Sequence, residues 1–358
     1  MRNRFGVPIA IALLIAACGG GGATTAPATQ APSTTGPTTE APAGISGNVD
    51  IHGSSTVAPI SNAVAEDIKA TSPEFSFVVG EEGTGAGFSE FFCVGNSDIS
   101  DASRAIRASN PETEDPEEAD ICAENGVEYV ELKVGYDGLA VITSVDNSIE
   151  CLTFADLYAL LGPESDAVEN WNDAEELAHT LGSTTDLPDA PLSITAPGDE
   201  SGTYDSFVEL VMGDLVEERF PDDPDSNLHL RTPGAIYVAS SNDNAIIQGV
   251  GGFPSSLGFV GIAYAEHATD TVKMVQVDGG DGCIAPTADT VSDGSYPISR
   301  PLFIYPNLGR AAENSAIVGY VDFYLSDEGF ANVSETGYVQ MPTDELEATR
   351  QAWEDAKP

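Results

Sequence analysis

Short apolar runs alternate along the chain with longer stretches in which apolar residues return every three or four positions. This alternation predicts strands interleaved with helices. Three of the strand-like runs lead into the same local plan, a turn rich in Gly, Ser and Thr and then a helix. The first is 47–52, the turn Gly53-Ser54-Ser55-Thr56, and a helix over 58–70. The second is 75–79, the turn Gly83-Thr84-Gly85-Ala86-Gly87, and a helix over 88–93. The third is 192–195, a turn over 197–203, and a helix over 204–219. Strands that alternate with helices in this way predict α/β lobes with largely parallel sheets.

Further strands are expected at 127–134, 138–143, 257–264 and 301–305, and two tail helices at 315–325 and 343–356, with 332–341 irregular between them. The stretch 110–120 is dense in acids and reads as a solvated loop or surface helix.

The first residues follow a different pattern. Arg2 and Arg4 precede an apolar run over 7–17, too short for a membrane-spanning helix, which needs about 20 residues. A basic start, a short apolar run and small residues before Cys18 predict a secretory leader over 1–17. Leu14-Ile15-Ala16-Ala17-Cys18 resembles a bacterial lipoprotein signal, which implies lipid on Cys18 and a chain held at the outer face of the cell membrane or in a periplasm. Residues 18–45 are Gly-, Thr- and Pro-rich, cannot offset their ordering entropy by burial, and read as a disordered tether. The remainder is long enough for two lobes.

Charge narrows the partners. The chain has 58 acidic and 13 basic residues, a formal net charge of −45, and loses Arg2 and Arg4 with the leader. Such a field disfavours nucleic acid and anionic surfaces, so no nucleic-acid partner is expected. If Cys18 carries lipid, Cys93, Cys122, Cys151 and Cys283 remain, an even set in an oxidising compartment and open to three disulfide pairings. No CxxC pair is present and the four His are scattered, so neither a metal site nor a cofactor is expected.

The three turns carry the candidate chemistry. A helix N-terminus presents unpaired N–H groups and a partial positive charge; Gly lets backbone approach an anion, and Ser and Thr add hydroxyl donors. Ligand sites of α/β sheets lie at the carboxyl ends of strands, where these turns fall. Ser54, Ser55, Thr56, Thr84, Ser201, Gly202 and Thr203 are therefore candidate oxyanion donors. Arg104 is one of few bases, and its fork suits a tetrahedral oxyanion. Ser103 precedes it. Asp101 or Asp98 would accept the proton of a protonated phosphate, which sulfate lacks.

The blocks 52–59 (His-Gly-Ser-Ser-Thr-Val-Ala-Pro), Gly83-Thr84-Gly85-Ala86-Gly87, 98–104 (Asp-Ile-Ser-Asp-Ala-Ser-Arg) and Ser201-Gly202-Thr203 resemble, in order, the periplasmic phosphate-binding proteins of the Pst ABC transporter. Tyr136-Asp137-Gly138, Asn242-Asp243-Asn244 and Leu257-Gly258-Phe259-Val260 extend the resemblance from about residue 47 to the tail. It implies a two-lobed α/β periplasmic-binding-protein fold (type II-like) with a ligand cleft between the lobes. The first lobe would be discontinuous, 46–134 plus 300–358, and the second 135–299. Hinges would fall near Val134-Gly135 and Ile298-Ser299-Arg300. This layout places Cys93 with Cys122 and Cys151 with Cys283, since crossed pairs would staple the lobes. The implied ligand is inorganic phosphate, the implied partners are ABC permease subunits, and the implied state is a monomer. Two departures stand out. Well-known members have Arg where Pro197 stands, so that Arg104 would replace its charge from the opposite lobe, and Asp where Ser103 stands.

Two other readings compete. One is a binder for sulfate, molybdate or tungstate. The other is a phosphate-ester hydrolase with Ser54, Ser55 or Ser201 as nucleophile; it lacks a base at useful spacing, because His52 lies inside a strand pattern. A binding protein and not an enzyme is the expected class.

Overall fold

In the first strand Val49, Ile51 and Gly53 face inward while the intervening residues do not, the period-2 pattern of a strand covered on one face. The helix that follows buries Ile60, Val64, Ala65 and Ile68, one stripe of a 3.6-residue period, and has Pro59 in its first turn, where a missing N–H costs nothing. Strand–helix units of this kind recur along the chain. The structure is a computed structural model and describes residues 44–108, 116–199 and 201–358. The expected leader, Cys18 and the tether as far as residue 43 lie outside the described residues. The tether's expected end at residue 45 is displaced: Ile45 packs against the core, and its N–H donates to Ser72 Oγ at 3.0 Å.

Along the chain, β1 (Gly47–Gly53), α1 (Ala58–Thr71), β2 (Phe75–Gly80), α2 (Thr84–Ala86) and a π-helical turn (Gly87–Phe92) lead to β3 (Ile99–Ala102) and α3 (Glu118–Glu124). Next come β4 (Leu132–Ser144), β5 (Cys151–Thr153), α4 (Phe154–Leu161), α5 (Glu175–Thr180) and β6 (Ser193–Ala196). A long helix follows in three segments: α6 (Gly202–Phe207), a π-helical turn (Val208–Met212) and α7 (Gly213–Arg219). After it stand β7 (Tyr237–Ala239), α8 (Asp243–Gly251), β8 (Ser256–Gly261), α9 (Ile262–Glu266), β9 (Val272–Met274), β10 (Gln276–Asp278), β11 (Cys283–Ile284), α10 (Ala288–Ser292) and β12 (Ser299–Pro306). The chain closes with α11 (Leu308–Glu313), α12 (Ser315–Tyr324), α13 (Asp327–Glu335) and α14 (Thr343–Ala356).

The main sheet runs β2-β1-β3-β12-β4-β8-β6-β7, with β9 also on β4. β1 pairs parallel with β2 and β3, and β6 pairs parallel with β7 and β8. Between these parallel flanks, β12 and β4 run antiparallel to their neighbours. The expected parallel character thus holds on the flanks and gives way at the centre. Of the two strands expected at 127–134 and 138–143, residues 132–134 and 138–143 belong to one strand, β4, which pairs with β12 over 132–138 and with β8 over 139–143; residues 127–131 precede it with only an isolated bridge at Tyr129. Gly135 and Gly138 lie within it, at positions where packing leaves no room for a side chain: a β-carbon on Gly135 would meet Val333 at 2.9 Å, and one on Gly138 would meet Val291 at 2.9 Å. Part of the stretch expected to be irregular, 332–335, is helical and ends α13. Residues 44–358 cluster as one compact unit.

The disulfides are Cys93–Cys122 and Cys151–Cys283. The first joins the π-helical turn to α3 inside a small core of Phe88, Phe92, Ala102, Phe303 and Tyr305. Rings there meet edge to face, Phe88 on Tyr305 at 4.9 Å between centroids. This cluster lies under the second turn and fixes the segment that carries Arg104. The second disulfide ties β5 to β11, in the small sheet β11-β10-β5.

Candidate functional site

The first and second turns leave the carboxyl ends of parallel β1 and β2, and residues 103–107 leave the end of β3. Their closeness is built on glycine. Gly53 has φ 141°, which L side chains rarely adopt, and a β-carbon there would sit 2.1 Å from the Asp101 carbonyl oxygen. Gly87 is as constrained, since its β-carbon would meet Gly53 Cα at 2.5 Å. Backbone bonds lock the arrangement: Ser54 N–H donates to Asp101 O at 2.9 Å, and Gly83 N–H to Gly53 O at 2.8 Å. The second turn is joined to β3's end by the Ser103 N–H, which donates to Thr84 Oγ1 at 3.1 Å, and by contact of the two hydroxyls at 3.1 Å.

The third turn arrives from the other flank of the sheet. Ser201 caps its own helix, its Oγ accepting from Thr203 N–H at 3.2 Å. Gly202 packs on the Ser55 carbonyl. One turn further along, Ser55 Oγ donates to Asp205 at 2.9 Å, and the Thr56 and Ser206 hydroxyls meet at 3.1 Å.

These elements enclose a cavity of about 370 Å³, lined by Ser54, Ser55, Thr56, Gly83, Thr84, Gly85, Ser103, Arg104, Arg107, Asp205, Glu209 and Arg300. Of the sequence candidates, it brings together Ser54, Ser55, Thr56, Thr84, Ser103 and Arg104. Ser201, Gly202 and Thr203 do not line it; Gly202 packs the third turn against the first, and Ser201 and Thr203 form the helix cap. Asp101 does not line it either. Its carboxyl is fully buried and turned toward α1, where Oδ1 accepts from Ser61 Oγ at 3.0 Å and Oδ2 has no partner. Burial pushes this carboxyl up to about 7, against the smaller lowering effect of the Ser61 bond. Asp98 is engaged elsewhere, bonded to the Arg310 guanidinium and accepting from the Asp50 N–H at 2.9 Å.

Arg104 is held by a carboxylate from the acid-rich stretch. Glu118, at the start of α3, takes Arg104 Nη1 at 2.8 Å and Nη2 at 2.6 Å, and also accepts from Arg107 N–H at 2.9 Å. This corrects the solvated reading of 110–120 at its C-terminal end: Glu118 is 6% exposed, and 109–115 lie outside the described residues. The Glu118 bond holds the Arg104 guanidinium above its ordinary range, with burial acting against it and Glu118 and Glu209 adding charge attraction. Tyr305 fixes the same segment, its hydroxyl oxygen accepting from Ile106 N–H at 3.0 Å.

Arg300, expected only as a hinge neighbour, is a lining residue. Its Nη2 donates to Thr56 Oγ1 at 3.2 Å and Ser206 Oγ at 2.9 Å, its Nη1 pairs with Glu209 at 2.5 Å, and Asp137 lies 3.6 Å from its Nε without a hydrogen bond. Burial raises the Asp137 carboxyl, opposed by the Arg300 charge. Arg107, Asp205, Glu209 and Arg300 were all missed from sequence. A signal existed for the acids: positions 205 and 209 are four apart on the helix that starts beside Ser201 and share its face. A π-helical turn follows both the second turn and α6, a distortion common at functional sites.

The lining thus offers hydroxyls from three elements, the N-terminal end of α1, three arginines and two carboxylates. It is suited to a small, multiply charged, hydrogen-bonding anion. The PBP superfamily domain matches residues 38–328. Protein SphX of Synechocystis is 33% identical, over 84% of this chain and 80% of its own length. The phosphate-binding protein PstS of Staphylococcus epidermidis is 30% identical, over 83% of this chain and 80% of its own. A crystal structure of a possible phosphate binding protein from Planctomyces limnophilus superposes with a TM-score of 0.73 at 34% identity, covering 87% of this chain and 99% of that one. The chain belongs to the PBP superfamily and, within it, to the family of PstS-like phosphate-binding proteins.

Proposed function

We propose that this protein binds inorganic phosphate outside the cell membrane and delivers it to an ABC importer through permease subunits. The observation that carries the reading is the convergence of Ser54, Ser55, Thr56, Thr84, Ser103, Arg104 and Arg300 on one cavity. Directed hydroxyl and guanidinium donors replace the hydration of a tetrahedral oxyanion, which a strongly acidic chain cannot attract by net charge. The names of the relatives support the same ligand. Capture works by closure: the 46–134 and 300–358 lobe supplies the first and second turns, the 135–299 lobe supplies the 202–219 helix, and β4 and β12 connect them. Asp205 lines the cavity with its carboxylate steadied by Ser55. It gives protonated phosphate an acceptor and presents sulfate with like charge. Lipid on Cys18 and the tether would keep the binder beside its importer. The role is binding and not catalysis, and the working form is a monomer.

The test is calorimetric titration of the refolded, ligand-stripped chain with phosphate, with sulfate and with molybdate near neutral pH. Tight one-to-one phosphate binding with no sulfate signal is expected. Sulfate or molybdate binding with phosphate silent would move the protein to another importer. Silence for all three would overturn the reading.

A further inference from the structure

The arginines of the cavity hold carboxylates of two different kinds. Glu118 grips Arg104 with both oxygens, and its side chain is 7% exposed. Asp137, 2% exposed, lies under Arg300. Breaking either pair would strand a buried charge. Glu209 is unlike both. It meets Arg300 through Nη1 alone, comes from the π-helical turn of the 202–219 helix, and has a side chain 59% exposed. A single-point pair in contact with solvent is held weakly. Arg300 does not depend on it for position, because Thr56, Ser206 and Asp137 engage its Nη2 and Nε sides.

We propose that Glu209 is a displaceable counter-anion: an oxyanion entering the cavity takes its place on Arg300 Nη1, so that this side chain sets how tightly, and against which competitors, anions are held. The proposal rests on the oxyanion-binding reading above. A multiply charged anion bonds Arg300 Nη1 and the hydroxyl donors around it at once, gains more than the single Glu209 contact, and displaces it. A weak monovalent anion gains too little to do so, and the cavity stays closed to it. The displaced carboxylate remains nearby, still repels the bound anion, and speeds its release. A binder that must hand its cargo on is served by such a repulsion; one that only stores it is not.

The test compares the mature chain with Glu209→Gln and Glu150→Gln in phosphate titration and stopped-flow release. Glu150 pairs with Lys273, is 76% exposed and does not line the cavity, so this variant controls for the loss of one negative charge. Relative to that control, Glu209→Gln is expected to bind phosphate about two- to five-fold tighter, the scale of an exposed ion pair, and to release it more slowly. Added chloride should compete better in Glu209→Gln than in wild type. Thermal melts should show all three chains folded. If Glu209→Gln matches the control or binds more weakly, Glu209 is a bystander or a direct ligand and the proposal is overturned alone. If wild type binds no oxyanion, the functional reading falls and the proposal falls with it.

Discussion

Gly202 rests on the carbonyl oxygen of Ser55: a β-carbon at residue 202 would lie 3.0 Å from that oxygen and 3.3 Å from Thr56 Cα. The helix that starts at Gly202 belongs to one flank of the sheet and Ser55 to the other, so this contact measures how closely the two flanks meet over the cavity. Two hydroxyl contacts lie beside it, Ser55 with Asp205 and Thr56 with Ser206.

Gly202→Ala should therefore act on ligand binding more than on folding. The added methyl must push the third turn off the first by a few tenths of an ångström. Overpacking of this kind costs about 1–3 kcal/mol where it cannot relax, which corresponds to roughly fivefold weaker phosphate binding at the lower end. The stripped chain can relieve the clash by parting the turns, so its melting temperature should hardly move. Calorimetry and a thermal melt on one preparation check both halves.

Arg104 presents a fork already filled on one side by Glu118. Arg104→Lys keeps the charge and loses the planar second donor, and it should weaken phosphate binding about tenfold or more, given about 1.5–3 kcal/mol for a charged hydrogen bond. Glu118→Gln should weaken binding less, because the guanidinium remains but is no longer clamped. It should also lower stability by about 1–3 kcal/mol, below the figure for a fully buried pair because Arg104 is partly exposed. Titration and denaturant unfolding of the two variants separate these effects.

The repeated strand–turn–helix plan was legible because Gly, Ser and Thr at those turns serve the backbone directly, and local chemistry writes itself into local sequence. The hydroxyls of Ser54, Ser55, Thr56 and Thr84 were found for that reason. Arg300 was not, since it reaches the cavity only because β12 crosses beside β4, and no feature around Ser299 announces that pairing. Asp101 misled for a related reason. On β3 successive side chains alternate faces, and the choice between cavity and α1 is made by packing against Ser61. Glu118 was masked by its acidic neighbours; the disulfide from Cys122, one turn on, anchors α3, and Arg104 and the Arg107 N–H hold the carboxylate inward.

The disulfides should separate stability from function. Cys93–Cys122 spans 29 residues and Cys151–Cys283 spans 132, so loop-closure entropy assigns them about 3–4 and about 5 kcal/mol. Replacing both cysteines of the longer bridge with Ala should cost more stability and leave phosphate affinity unchanged, because β5 and β11 contribute nothing to the lining. Replacing both cysteines of the shorter bridge should cost less stability and still weaken binding several-fold, because it frees α3 and with it Glu118. Equal effects on affinity would break the link from disulfide to Arg104.

Asp101 should govern the pH dependence of stability instead of ligand contact. Its carboxyl is pushed up to about 7 by burial, while in the unfolded chain it titrates near the ordinary 3.8. Between those values the folded protein keeps a proton that the unfolded chain has lost. The stability supplied by the neutral carboxyl is thus full below pH 3.8 and declines as pH rises to about 7. The groups around it offer little to an ionised form: Ser61 of α1 gives one bond, and the Tyr320 and Tyr324 phenols of α12 are themselves pushed up, mainly by burial and in part by the Asp101 charge. Asp101→Asn keeps the shape and removes the titration. Melts near pH 4.5 should find wild type and variant within about 1 kcal/mol of each other. Near pH 8.5 the variant should be the more stable by a few kcal/mol, on the order of 1.4 kcal/mol for each pH unit that separates the folded and unfolded titrations. Phosphate affinity should change by less than about threefold, a difference under 1 kcal/mol, since the side chain faces α1 and not the cavity. A stability difference that stays flat with pH would show that Asp101 does not titrate in this window. A large loss of affinity would place its carboxylate back at the ligand.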